Sequence, residues 1–272
     1  MANLKSIVKS TFLAGAVVLS SLGLCPGRAH AADKDVYRDE VSINTNYATF
    51  NINGEEYQKG VSLDLESKFG IPVREWLDIQ TNLKFNHHSY SSLDKKSTET
   101  IDNLELKVGG KVELYSSNGL KFYLDMGGKY LLNHEKMVFE RNEAYIMGNL
   151  WGPSLAVGIE GSNFDFSISL STLLGIEGSS YEKDYGSQVE QLSVNLTPRF
   201  WRIEVPMECE LFFQSAAEYK GYYPNLLLKF TLKPGIALTE HVGAFINITH
   251  SNMFLEEYYE TFDVGGGFKI KW

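Results

Sequence analysis

The residues best able to do chemistry lie in Thr249-His250-Ser251-Asn252, where a base stands beside a hydroxyl nucleophile. With Glu256 or Glu257 as an orienting acid, that is the composition of an acyl-transfer site. His88, His134 and His250 form a second set, able to hold a metal or supply a base only if the fold gathers them. No pair of histidines has the close spacing that makes a metal site specific. The chain also lacks a phosphate loop, a dinucleotide fingerprint and a zinc-protease motif, so neither cofactor nor metal is expected. Glu208 and Glu210 are two apart, as a pair of hydrolytic carboxylates would be. With Arg199 and Arg202 close by, a charge ladder explains them more simply.

The elements that must position these groups are strands. Residues 61–70 alternate Val61, Leu63, Leu65 and Phe69 with Ser62, Asp64, Glu66 and Lys68, and 104–114 alternates leucine and valine with glutamate and lysine. The same period of two recurs over roughly 37–51, 57–70, 75–88, 99–115, 120–133, 141–160, 164–175, 187–200, 203–214, 222–238, 242–251 and 260–272. No helical repeat competes. Pro153 makes the sixth segment the weakest. Tight links are expected at 70–74, 116–119, 161–163, 201–202 and 239–241. Longer polar links are expected at 52–56, 89–98, 134–140, 176–186, 215–221 and 252–259.

The chain has 272 residues, a formal charge of −9, 43% hydrophobic residues and two cysteines, which taken alone describe a soluble acidic protein. That composition excludes disorder, and its negative sign disfavours nucleic acid as a partner. No window beyond the first segment reaches the roughly 18 apolar residues of a helical span. Residues 1–31 are different. Lys5 and Lys9, the apolar run Thr11 to Leu24 and Ala29-His30-Ala31 have the three parts of a cleavable signal peptide, leaving 32–272 as one domain. Only Cys209 would remain, so no internal disulfide braces the exported chain.

A soluble sandwich also alternates, but three features point to a barrel in lipid. The polar face carries charge strand after strand, about eleven acids against twelve bases, a balance suited to pairing in a confined lumen. Trp76, Trp201 and Trp272 fall at the short-turn end. Tyr47, Tyr57, Tyr130, Tyr145, Tyr222, Tyr258 and Phe262 fall near the long-loop end, so rings mark both water–lipid boundaries. Last, Phe262, Val264, Phe268, Ile270 and Trp272 share one face of a strand that ends the chain.

The ending Gly266-Gly267-Phe268-Lys269-Ile270-Lys271-Trp272 resembles the C-terminal assembly signal of Gram-negative outer-membrane β-barrel proteins. The resemblance implies an all-β, antiparallel, up-and-down transmembrane barrel, and the twelve alternating segments count twelve strands, with ten or fourteen as alternatives. It also implies location in a Gram-negative outer membrane among lipid and lipopolysaccharide. Delivery to the barrel-assembly machinery would run through the strand ending in Trp272.

Three functions follow as expectations. The first is a small passive channel for hydrophilic solutes, porin-like, with Glu105, Lys107, Lys111, Asp125, Lys129, Glu208, Lys229 and Lys233 lining the pore. The second is an outer-membrane lipid hydrolase, of deacylase or phospholipase type, using His250, Ser251 and Glu256. One such family carries histidine and serine two residues apart on one strand face. Here they are adjacent and would need a β-bulge to meet. The third is a non-conducting surface barrel acting through acidic loops that carry Glu55, Glu56, Asp94, Glu99, Glu135, Glu140, Glu177, Glu182, Asp184, Glu218, Glu256 and Glu257.

Overall fold

The computed structural model describes residues 40–93, 97–139, 142–175, 187–216, 225–254 and 258–271. The expected signal segment, Glu256, most of the acidic loop residues and Trp272 lie outside them.

Fourteen β segments make a single sheet: β1 (Glu40–Ile52), β2 (Glu55–Arg74), β3 (Leu77–Ser92), β4 (Ser97–Ser117), β5 (Leu120–Phe139), β6 (Asn142–Glu160), β7 (Phe164–Gly175), β8 (Ser187–Phe200), β9 (Ile203–Glu204), β10 (Met207–Ala216), β11 (Asn225–Leu232), β12 (Gly235–Ala237), β13 (Val242–Phe254) and β14 (Tyr258–Lys271). Every pairing is antiparallel, and β1 pairs with β14 from Glu40↔Lys271 to Ile52↔Tyr259, which closes the sheet into a barrel.

The barrel has twelve spanning strands, because two of them are each written as two segments. Val205-Pro206 divides β9 from β10, and Lys233-Pro234 divides β11 from β12. Proline has no N–H to give to a ladder, so the pairing lapses at both sites. Single backbone bonds bridge the gaps: Val205 N–H donates to Pro198 O at 3.0 Å, Lys233 N–H to Pro206 O at 2.8 Å, and Ile246 N–H to Pro234 O at 2.9 Å. Pro153 acts more gently. β6 runs through it unbroken, and only the ladder to β7 skips Gly152 and Pro153.

The wall is amphipathic with its apolar face outward. Ile71, Leu114, Leu170, Ile246 and Phe268 are exposed, whereas Asn46, Gln191, Glu210 and Asn247 are buried. A water-soluble sandwich would reverse that pattern. In hydrocarbon the closed barrel satisfies every strand edge, which is the requirement for crossing with strands at all.

Turn chemistry fixes the hairpins. Asn53-Gly54 and Asn118-Gly119 both adopt positive φ, at 51° and 84° and at 51° and 77°. Paired left-handed residues match the twist of the flanking strands, and Asn-Gly is the sequence that supplies them. The first turn corrects an expectation: 52–56 is a two-residue hairpin and not a longer link. The link expected at 70–74 is also displaced. β2 continues to Arg74 with a bulge between Pro72 and Arg74, and the turn falls on Glu75-Trp76. A Cβ added to Gly54 would meet nothing within 4 Å, so only backbone strain opposes a side chain there. Gly54→Ala is therefore expected to destabilise the barrel by about 1 kcal/mol in urea titrations, without changing its native mobility on gels.

β2, β4, β5 and β6 contain 20, 21, 20 and 19 residues, against 12 in β7. A tilted membrane strand needs only about 9–11. Segments 89–98 and 134–140, expected to be loops, are thus largely strand. On the outer face of β3 the apolar series Ile79, Leu83, Phe85 gives way to His87, Ser89 and Ser91. On β4, Val108, Leu106 and Leu104 give way to Asp102, Thr100 and Thr98. One side of the barrel stands above its apolar band.

Candidate functional site: the barrel lumen

Alternation places all eight expected pore residues on the inner face, and the structure shows partners for most of them. Lys107 Nζ lies 2.5 Å from Asp125 Oδ2, Lys129 Nζ lies 3.0 Å from Glu105 Oε1, and Lys111 pairs with Glu160. Lys129 also donates to Gln191 Oε1 at 2.6 Å, Gln191 Nε2 donates to Glu210 Oε1 at 2.7 Å, and Lys229 Nζ lies 3.2 Å from Glu210 Oε2. Lys233 follows Lys229 and Thr231 on the same face, at the break before β12.

Most of these contacts join near neighbours in the ring. One does not. Lys84 Nζ on β3 lies 4.0 Å from Glu208 Oε1 on β10. Counting strands round the barrel, β10 is six steps from β3 in either direction, so this pair crosses the full bore. Their side chains keep 26% and 25% of their exposure, which leaves the bridge open to water. A second tier of pairs rings the short-turn end: Arg199 with Asp165, Lys121 with Glu113 at 3.6 Å, Lys269 with Glu204, and Lys271 with Glu40 at 3.4 Å. Alternation in the sequence puts Lys84 and Glu208 on the polar face. It does not pair them, because nothing local encodes which strands end up opposite.

The histidine set does not assemble. His88 faces inward opposite Ser62, with its ring stacked on Tyr90 at 5.9 Å. His250 faces outward beside Phe262, and His134 stands in register with Asp102, whose carboxylate meets outward-facing His87 Nδ1 at 2.6 Å. Residues on opposite faces of the wall cannot share a ligand.

The acyl-transfer pair is separated in the same way. His250 pairs in register with Phe262 and Ser251 with Thr261, and neither ladder of β13 shifts between them. Without a bulge, adjacent residues point to opposite sides. His250 has Glu260 at 3.5 Å instead, and Ser251 faces the lumen opposite Lys229.

A groove of about 400 Å³ beside Trp151, lined mainly by Leu106, Val108, Gly128 and Tyr130, opens on the outer wall, so its contact is with lipid.

No family model and no curated protein matches the sequence. Solved structures do. The COG4313 outer membrane channel from Pseudomonas putida F1 is 11% identical, with 92% of this chain and 100% of that chain covered and a TM-score of 0.58. The fold is that of an outer-membrane β-barrel. The β domain of the Bordetella autotransporter BrkA superposes with a TM-score of 0.52 at 10% identity, covering 86% of this chain and all of the other. At such identities the likeness speaks for the barrel alone, and function has to come from the lumen.

Proposed function

We propose that the protein is a narrow passive channel of a Gram-negative outer membrane, admitting small hydrophilic solutes. The observation that carries this reading is the water-accessible charge bridge from Lys84 to Glu208 across a lumen polar on every strand. A barrel kept only as a scaffold gains nothing from such a lining. Replacing buried ion pairs by apolar side chains of similar volume is commonly neutral or stabilising. Charge retained around the whole bore favours an interior meant to stay wet. The near balance of signs fits weak ion selectivity. Export through the leader 1–31, insertion through the strand ending in Trp272, and a surround of lipid and lipopolysaccharide belong to the same proposal.

Planar bilayers test it. Purified protein is expected to give discrete conductance steps in potassium chloride, and liposomes containing it are expected to swell in small sugars. A silent membrane across all voltages and salts, with no swelling, would remove the channel reading.

A further inference from the structure

The charged groups around the Lys84–Glu208 bridge are committed elsewhere. In register beside Lys84 stand Glu66 on β2 and Glu105 on β4. Glu66 is engaged by Lys68 at 3.3 Å, and Glu105 by Lys129 at 3.0 Å. In register beside Glu208 stand Asn195 on β8 and Thr231 on β11, both neutral. The next inward residue of its own strand is Glu210, of like charge, which holds Lys229 at 3.2 Å. Parting the bridge therefore leaves a cation on one wall and an anion on the other, each beside neighbours that are neutral, of like charge or paired.

Side chains cover the wall on both flanks of the bridge. On one flank Lys129 on β5 reaches Gln191 on β8 at 2.6 Å, spanning β6 and β7, and Ser171 there donates to Ser154 at 3.0 Å. On the other, Asn44 and Asn247 both donate to Asn46 Oδ1, at 2.8 Å and 3.2 Å. These residues face inward and yet are buried. Lys84 and Glu208 keep about a quarter of their exposure, so water meets the bore at the bridge more than beside it. A solute that follows the water has to separate the pair.

We propose that the solutes favoured by this channel are small zwitterions of the amino-acid kind. The solute carboxylate takes the place of Glu208 on Lys84, and its ammonium takes the place of Lys84 on Glu208. An uncharged solute parts the bridge and compensates neither charge. A simple ion compensates only one. Leaving a partly desolvated charge without its partner is what costs free energy, and a zwitterion avoids it at both ends. The long, flexible stem of Lys84 lets the exchange occur without movement of the wall. This inference rests on the channel reading and adds the class of solute to it.

Swelling of liposomes carrying the full chain tests the proposal with two isomers, glycine and glycolamide. They share one formula, and only glycine carries the paired charges at neutral pH. Rates in protein-free liposomes are subtracted. Because water already reaches both groups, the preference is modest, and wild type is expected to admit glycine about threefold faster than glycolamide. The neutral double variant Lys84→Met with Glu208→Gln is expected to admit both at equal rates. Equal rates in the wild type overturn the proposal, and so does an undiminished glycine preference in the double variant. Conductance with equal rates removes the solute class alone, whereas no conductance and no swelling in either isomer removes the channel as well. If the double variant loses its compact mobility on unboiled gels, the near-isosteric Glu208→Gln decides by the same criterion.

Discussion

Bilayers carrying Lys84→Glu are expected to favour cations, with the reversal potential in a salt gradient displaced accordingly. Glu208→Lys should displace it the other way. In the wild type the two side chains meet across the bore at 4.0 Å and cancel each other's field. Lys84→Glu changes the local charge by two units and sets like charges face to face on the path that the proposed channel gives an ion. At that separation a pair of unit charges interacts by about 1 kcal/mol in water and about 4 kcal/mol at the effective dielectric near protein. The partial exposure of both groups argues for the lower end. A change of about 1.4 kcal/mol corresponds to tenfold, so roughly a tenfold shift in cation-to-anion permeability is expected at low salt. It should fade toward 1 M salt, where the screening length falls to about 3 Å. The double exchange of Lys84→Glu with Glu208→Lys restores the pair in reverse and should return both selectivity and conductance to near wild type. Equal reversal potentials in all four proteins would show that ions do not pass this bridge.

The parts of this site that can be read from sequence are those written in local alternation. Lys107 and Asp125 belong to the inner face because each sits between outward apolar neighbours, and Lys111 and Lys129 because they keep the same parity on β4 and β5. Twelve strands can be counted for the same reason, and Asn118-Gly119 announces its own hairpin. The contrast vanishes where both faces meet water. That is why the upper parts of β3 to β5 look like polar loops in sequence while remaining paired strands in the structure. The bridge from Lys84 to Glu208 is hidden for another reason. It depends on which strands lie six apart in the ring, which no local pattern encodes. His250 and Ser251 show the reverse case. Their adjacency already implies opposite faces, and the regular ladders of β13 leave no bulge to undo it.

Gly265→Val is expected to prevent closure of the barrel. The seam between β1 and β14 closes the barrel by joining the first and last described strands. Two glycines on the inner face of β14 let it form so closely. A Cβ on Gly265 would lie 2.0 Å from Thr45 O and 2.5 Å from Asn46 Cα, and one on Gly267 would lie 2.0 Å from Ile43 O. These contacts are with backbone, so no rotamer change relieves them. The strands must part, and each ladder bond lost leaves two polar groups without partners in a region that lipid surrounds. Overpacking alone costs about 1–3 kcal/mol, and a β-branched side chain at this site should reach or pass the upper figure. Gly266→Val is the matched control. Its side chain would point outward among Val264 and Phe268, where a Cβ comes no nearer than 3.2 Å to Phe245 O, and valine suits a strand. On unboiled gels Gly266→Val should migrate as a compact barrel and resist protease. Gly265→Val should run as the unfolded chain and be digested. If both fold alike, the seam is looser than its register implies.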